Sequence, residues 1–194
     1  MKKIFIVHGF GGIPNGGWIS WIMQQLSKEK VYTCSLPMPT PKNPIVSKWI
    51  EEISRAVENS PEDEIFLVGH SLGATAVLKY LENLPENNKI KGVILVSGLI
   101  SPLDPLNKES NFRAIDSFVV PSIDFRKIKN KSEKFVVLHS IDDPIVPFAH
   151  AKEISQNLSC ELIETEQGGH FYILAEPVRY ELEPLLSILE KMIH

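Results

Sequence analysis

Six short apolar runs alternate along the chain with amphipathic stretches, and this alternation constrains the fold more than any other feature of the sequence. Most of the runs are continuously apolar, which favours strands buried on both faces of a sheet. The stretches between them carry apolar residues at helical spacing. Strands that alternate with helices predict a parallel sheet covered on both sides, a three-layer α/β/α sandwich. The predicted strands are residues 4–7, 31–36, 65–68, 93–96, 135–138 and 160–163.

Length, charge and cysteine content narrow the function classes. A chain of 194 residues suits one domain over 1–194, with a core that needs no disulfide or metal. The net charge of −4 argues against a phosphate-binding surface, so nucleic acid is not an expected partner. Cys34 and Cys160 are too few for a disulfide framework, and their apolar surroundings predict buried, reduced thiols. No apolar stretch is long enough for a signal peptide or a membrane span, so we expect a cytoplasmic protein without a membrane partner.

Two connections are longer than the alternating pattern needs, namely residues 38–44 and 101–134. A connection as long as the second usually holds a helix or a small lid, and residues 118–128 are the predicted helix within it. Both connections begin after a strand. In a parallel sheet the loops that follow the strands surround the ligand site, so both are expected on that side.

Residues 69–73, Gly-His-Ser-Leu-Gly, lie between a predicted strand and a predicted helix at 74–84. This is the context of the G-x-S-x-G motif, a sharp turn with a serine nucleophile at its tip. Glycines two residues either side of Ser71 let the strand and the helix pass closely. We therefore predict Ser71 as a nucleophile and expect its neighbour His70 to pack or to form hydrogen bonds. The alternative is an ordinary glycine turn with an incidental serine.

Residues 8–12, His-Gly-Phe-Gly-Gly, follow the first predicted strand directly. The tetrahedral intermediate of acyl transfer needs backbone N–H donors about 3 Å from its oxygen. One donor comes from the residue after the nucleophile, Leu72, and the other from a His-Gly loop of this kind, where Phe10 is the candidate. A flexible glycine turn without a function is the alternative for this loop.

The acid and the base are expected after later strands, in the order serine, acid, histidine. Asp142 and Asp143 compete for the acid, and the Pro-containing segment that follows favours Asp143, which leaves Asp142 as a turn residue that caps backbone N–H groups. The alternative is that both aspartates are turn residues. His170, within Gln-Gly-Gly-His-Phe, is the predicted base, with Nε2 towards Ser71 and Nδ1–H towards the acid. His139, His150 and His194 form no convincing metal-ligand spacing, so neither a metal nor another cofactor is predicted.

Together these residues resemble the α/β-hydrolase superfamily and, more narrowly, the small serine hydrolases of the retinoblastoma-binding protein 9 family. The resemblance includes residues 17–21 (Gly-Trp-Ile-Ser-Trp), 36–39 (Leu-Pro-Met-Pro), 69–73, 142–144 and 169–171. It implies a compact hydrolase core with six parallel strands in the order 2-1-3-4-5-6. It also implies a Ser71–Asp143–His170 triad that acts on esters or amides.

The leading functional hypothesis is a hydrolase of small carboxylic esters that works through an acyl-enzyme on Ser71. Trp18, Met38 and Phe118 are candidate pocket residues, although aromatic residues at helical spacing more often pack in a core. A peptidase or amidase with the same triad is one alternative, and a protein-interaction module that has kept the fold is another. The sequence leaves the oligomeric state open between a monomer and a weak dimer.

Overall fold

The sheet has six parallel strands, β1 Lys2–Val7, β2 Tyr32–Ser35, β3 Glu64–His70, β4 Gly92–Val96, β5 Phe135–Ser140 and β6 Glu161–Thr165. They lie in the order β2-β1-β3-β4-β5-β6. The computed structural model describes residues 1–58, 60–103, 113–171 and 180–194. The observed order is the one that the resemblance implied, and the predicted α/β class is confirmed.

Helices cover both faces of the sheet, which explains why the strands are continuously apolar. The helices of the described ranges are α1 Ile19–Lys28, α2 Val46–Glu58, α3 Leu72–Asn83, α4 Arg113–Val119, α5 Phe125–Ile128, α6 Ala149–Leu158 and α7 Glu183–Ile193. Along β1, Ile4 and Ile6 pack on one side with α1 and α7, whereas Phe5 and Val7 pack on the other side with α2, α3 and α6. This alternation follows from the two-residue period of a strand. Within those ranges no helix is both long and apolar enough to cross a membrane.

The segment 118–128 is not the single helix predicted from the sequence. Helix α4 ends at Val119, because Pro121 offers no amide hydrogen and disfavours a helical conformation in the residue before it. Helix α5 then begins after Asp124, whose carboxylate accepts a hydrogen bond from the Arg126 N–H. The suggested lid within 101–134 falls partly on residues 104–112, which lie outside the described residues.

Both cysteines are free, but they are only half-buried, so the prediction of buried thiols is wrong in degree. Cys34 lies in β2 and Cys160 directly precedes β6. Among the described residues these are the two edge strands of the sheet, each with a neighbouring strand on one side. The apolar runs around the cysteines predicted burial without indicating that these strands end the sheet.

Helix α3 packs unusually close to the strands beneath it, and two glycines permit this approach. A Cβ atom on Gly73 would overlap the carbonyl oxygen of Val7 and lie 2.6 Å from that of His8. A Cβ atom on Gly69 would lie 2.6 Å from the backbone nitrogen of Ala74. Because backbone atoms cannot rotate away as a side chain can, neither position accepts a larger residue without moving the helix.

We predict that Gly73→Ala lowers the free energy of unfolding by about 3 kcal/mol, because the added methyl group meets fixed carbonyl oxygens. Urea denaturation followed by circular dichroism measures this loss. Gly16→Ala is the matched control, since its Cβ atom would come no closer than 3.1 Å to the Ile13 side chain and 3.3 Å to the Ile13 carbonyl oxygen. The control is expected to lose less than about 1 kcal/mol. Equal losses in the two variants would contradict this account of the α3 contact.

Candidate active site

Ser71 lies at the tip of the turn between β3 and α3, with a backbone conformation that is unfavourable for a residue with a side chain. Its φ is 55° and its ψ is −123°. Such strain is typical of functional turns and persists only where the surroundings enforce it. Here the Ser71 N–H donates to the Val96 carbonyl oxygen over 2.8 Å, and the Ser71 carbonyl oxygen accepts from the Ala74 N–H over 3.0 Å. The turn is thereby tied to β4 and to α3.

The structure brings together the three residues that the sequence singled out. His170 Nε2 lies 2.9 Å from Ser71 Oγ, and His170 Nδ1 lies 2.8 Å from Asp143 Oδ2. The three residues follow β3, β5 and β6, at the carboxyl edge of the sheet. A carboxylate accepts hydrogen bonds, so Nδ1 carries the proton, and Nε2 is left as the acceptor for the Ser71 hydroxyl. This arrangement can move a proton from Ser71 to His170.

The side chain of Asp143 is fully buried, yet both of its oxygens are hydrogen-bonded. Oδ1 accepts from the N–H groups of Ile145 and Val146, each over 2.9 Å. Burial acts to raise the pKa of Asp143, but hydrogen bonding from His139 and His170 outweighs it, and the pKa lies well below its usual range. Asp143 therefore stays ionised opposite His170. The sequence showed His139 only as the end of a strand, and it missed this contact.

Asp142 lies in the turn after β5 and accepts hydrogen bonds from backbone N–H groups, as predicted, but these groups belong to the loop before His170. Its Oδ1 accepts from the N–H groups of Gly168, over 3.1 Å, and Gly169, over 2.8 Å. The Ser140 hydroxyl also donates to Oδ1. These hydrogen bonds, from Ser140 first, lower the pKa of Asp142. The N–H groups of the turn are instead capped by Asp143, so both aspartates support His170, one through its ring and the other through its loop.

The loop at residues 8–12 passes directly beside Ser71. A Cβ atom on Gly9 would lie 3.0 Å from Ser71 Cβ, so a glycine allows this approach. The loop closes in a turn with the Gly12 N–H on the Gly9 carbonyl oxygen at 3.1 Å, and the Gly11 N–H donates to the Pro41 carbonyl oxygen over 2.8 Å. Phe10 lines the cavity above Ser71. Leu72 opens α3, where an N–H has no partner within the helix. Their predicted roles as oxyanion donors remain predictions.

A cavity of about 190 Å³ opens beside Ser71. Trp18 lines it, as the sequence suggested, but Met38 and Phe118 do not. Both lie in the hydrophobic core, where Phe118 packs edge-on to Trp49 with ring centroids 5.4 Å apart. Their placement as pocket residues is therefore corrected. The described lining includes no Asp, Glu, Lys or Arg, and consists of His8, Gly9, Phe10, Gly12, Ile13, Gly16, Trp18, Ile19, His70, Ser71, Leu99, Leu103, Ile115, Ile145 and His170.

Across the described ranges, no group of three His, Cys, Asp or Glu side chains is placed to hold a metal.

A family model for serine hydrolases matches residues 4–182. The chain belongs to the serine hydrolase family. It is 33% identical over 170 residues to the YdeN protein of Bacillus subtilis, covering 88% of this chain and 86% of that protein. It is 27% identical to serine hydrolase RBBP9 of Rattus norvegicus, over 98% and 95% of the two chains.

Two solved structures have the same fold. The crystal structure of the ydeN gene product from B. subtilis matches with a TM-score of 0.87 at 30% identity, over 100% of this chain and 99% of that one. Est1E from Butyrivibrio proteoclasticus matches with a TM-score of 0.75 at 18% identity, over 99% and 88%, and shares the fold alone. The resemblance inferred from the sequence is confirmed.

In this serine hydrolase His70 forms a hydrogen bond to the loop that carries His170. Its Nε2–H donates to the His170 carbonyl oxygen over 2.9 Å, and its ring packs edge-on to Trp18 at 5.7 Å. Burial, together with the nearby His170, lowers the pKa of His70 from 6.5 to about 3. His70 is therefore a neutral donor at ordinary pH, in the hydrogen-bonding and packing role expected for it.

We predict that His70 lowers the free energy of unfolding in mild acid relative to neutral pH. Because its pKa is lower in the folded protein, the unfolded chain binds the proton first as the pH falls below about 6.5. The free energy of unfolding should then fall by up to roughly 1.4 kcal/mol per pH unit from this residue alone. Urea denaturation between about pH 6.5 and 4.5 should give a shallower slope for His70→Gln, whose amide keeps a donor. His194→Gln, at the exposed C-terminus, should keep the parent slope, and an unchanged slope in His70→Gln would refute the prediction.

Proposed function

We propose that this chain hydrolyses small carboxylic esters through an acyl-enzyme on Ser71. The observation that carries the proposal is the continuous hydrogen-bonded chain from Asp143 through His170 to Ser71, beside an apolar cavity. Activation of a serine hydroxyl needs a base within hydrogen-bond reach, and the base needs a group that orients it. Both distances, 2.8 Å and 2.9 Å, meet that requirement.

In the proposed mechanism His170 Nε2 accepts the proton of Ser71 Oγ as the oxygen attacks the ester carbon. The N–H groups of Phe10 and Leu72 would stabilise the oxyanion. The tetrahedral intermediate collapses as His170 returns the proton to the departing alcohol. Water, deprotonated by His170, then attacks the acyl-enzyme, and Ser71 regains its proton when the acid leaves. The low pKa of Asp143 supports its role, because an ionised carboxylate stabilises the imidazolium formed in both steps.

The lining of the cavity supports a small, apolar and uncharged substrate. Ile13, Trp18 and Ile115 are among the apolar side chains that face it, and no charged side chain belongs to its described lining. A charged substrate group placed there would lose its hydration without gaining a counter-charge. A monoacylglycerol lipase from Paleococcus ferrophilus, whose name describes cleavage of an ester, has the same fold.

A fluorophosphonate probe tests the nucleophile directly. We expect the parent protein to be labelled at Ser71, located by peptide mass spectrometry, and Ser71→Ala to remain unlabelled. His170→Ala should be labelled at least about 100-fold more slowly, because the general base is lost. Ser117→Ala, at an exposed helical serine, is the matched control and should behave as the parent does. A folded parent that stays unlabelled would rule out the proposed function and favour an interaction module.

A matched pair of substrates separates an esterase from an amidase. The p-nitrophenyl ester and the p-nitroanilide of butyric acid differ only in the atom that leaves. An ester expels its leaving group with less help from protonation, so we expect turnover of the ester and little of the anilide. A higher kcat/KM for the anilide would make the protein an amidase.

The two aspartates are expected to differ sharply in ester hydrolysis. Asp143→Asn should lower kcat by about 10³–10⁴-fold, since an amide in place of the carboxylate favours the wrong histidine tautomer. Asp142→Asn keeps an oxygen for the N–H groups of Gly168 and Gly169, and we expect a loss of about tenfold or less. If Asp142→Asn alone abolishes turnover, the assignment of the acid is wrong.

A further inference from the structure

A second imidazole lies behind the proposed acid. His139 belongs to β5 and is fully buried. Its Nε2 lies 3.0 Å from the Val146 carbonyl oxygen and 3.3 Å from Asp143 Oδ2. Because Nε2 faces two oxygens, it carries the hydrogen. The same oxygen of Asp143 lies 2.8 Å from His170 Nδ1, so it has an imidazole N–H group of His139 and one of His170 nearby.

His139 also closes the turn that aims Asp143. The Val146 carbonyl oxygen accepts from His139, while the N–H groups of Ile145 and Val146 donate to Asp143 Oδ1. The turn over 143–146 is thus held by the carboxylate inside it and by the imidazole on the strand before it. If the contact with His139 is lost, the turn loses one of the hydrogen bonds that keep Asp143 Oδ2 directed at His170.

Packing alone does not account for a histidine at this position. The other ring nitrogen of His139, Nδ1, is buried without a hydrogen-bond partner among the described residues. An unpartnered buried nitrogen is unfavourable, whereas an apolar side chain would pack against Phe148, whose ring lies edge-on at 5.8 Å, without that penalty. What the histidine adds over an apolar residue is the donor at Nε2.

We infer that His139 is a positioning residue of the reaction, which fixes the direction of Asp143 and through it the ring of His170. The inference rests on the proposed function, since it concerns the acid of that mechanism. His139 is not part of the described cavity lining, so its loss should act on kcat and leave KM nearly unchanged. Misplacement of an orienting group by about 1 Å is enough to slow catalysis by about 10²-fold.

Kinetics of His139→Leu and His139→Gln with p-nitrophenyl butyrate test the inference. Glutamine carries an N–H donor at a similar distance from the backbone, and leucine carries none. We expect His139→Leu to lower kcat by about tenfold or more with KM within about twofold, and His139→Gln to recover most of kcat. Phe148→Leu, which changes the packing around His139 but not its donor, is the matched control and should retain kcat.

Each outcome has a distinct meaning. An inactive, unlabelled parent would overturn the proposed function and this inference with it. An active parent with His139→Leu at parental kcat, or with His139→Gln no better than His139→Leu, would overturn this inference alone. If the variants do not fold, the ¹⁵N chemical shifts of the parent's histidine rings decide: a hydrogen on Nε2 of His139 is expected, and a tautomer with the hydrogen on Nδ1 alone would overturn the inference.

Discussion

Helix α3 lies so close to the carboxyl ends of β1 and β3 that no Cβ atom fits between them, and the candidate site depends on this contact. Gly73 meets the carbonyl oxygens of Val7 and His8, and Gly69 meets the backbone of the helix. The short distance forces the sharp turn in which Ser71 adopts its positive φ. The loop at residues 8–12 then passes so close to the serine that it borders the cavity.

The buried negative charge of Asp143 is the second constraint on the structure of the candidate site. An unpaired buried carboxylate is strongly unfavourable, so Asp143 is compatible with this site only because donors surround both of its oxygens. The N–H groups of Ile145 and Val146 bind one oxygen and His170 binds the other. The hydrogen bonds that stabilise the buried carboxylate of Asp143 also orient the imidazole of His170. Stability and the proposed chemistry therefore share the same contacts at this position.

The loop that carries His170 includes two glycines, whose ordering carries a large entropic penalty. Contacts from two other elements offset it. Asp142, after β5, binds the N–H groups of Gly168 and Gly169, and His70, at the end of β3, binds the carbonyl oxygen of His170. The proposed base is thus held by a loop that is fixed before a substrate arrives, which is the preorganisation that electrostatic catalysis requires.

Local signals in the sequence predicted much of the fold and of the candidate site. Continuous apolar runs predicted the strands. Flanking residues and their order along the chain predicted Ser71, Asp143 and His170 as the candidates. The structure places these three within hydrogen-bond distance of one another. Such signals depend on neighbours within a few residues. The sequence did not predict the hydrogen bonds of Asp142 to Gly168 and Gly169, which lie 26 and 27 residues further along the chain. Nor did it predict that Phe118 is buried in the core. Both depend on how distant elements pack against each other. The sequence by itself determined the sheet and the order of the candidate residues, whereas the packing of loops at one edge of the sheet decided which of them meet.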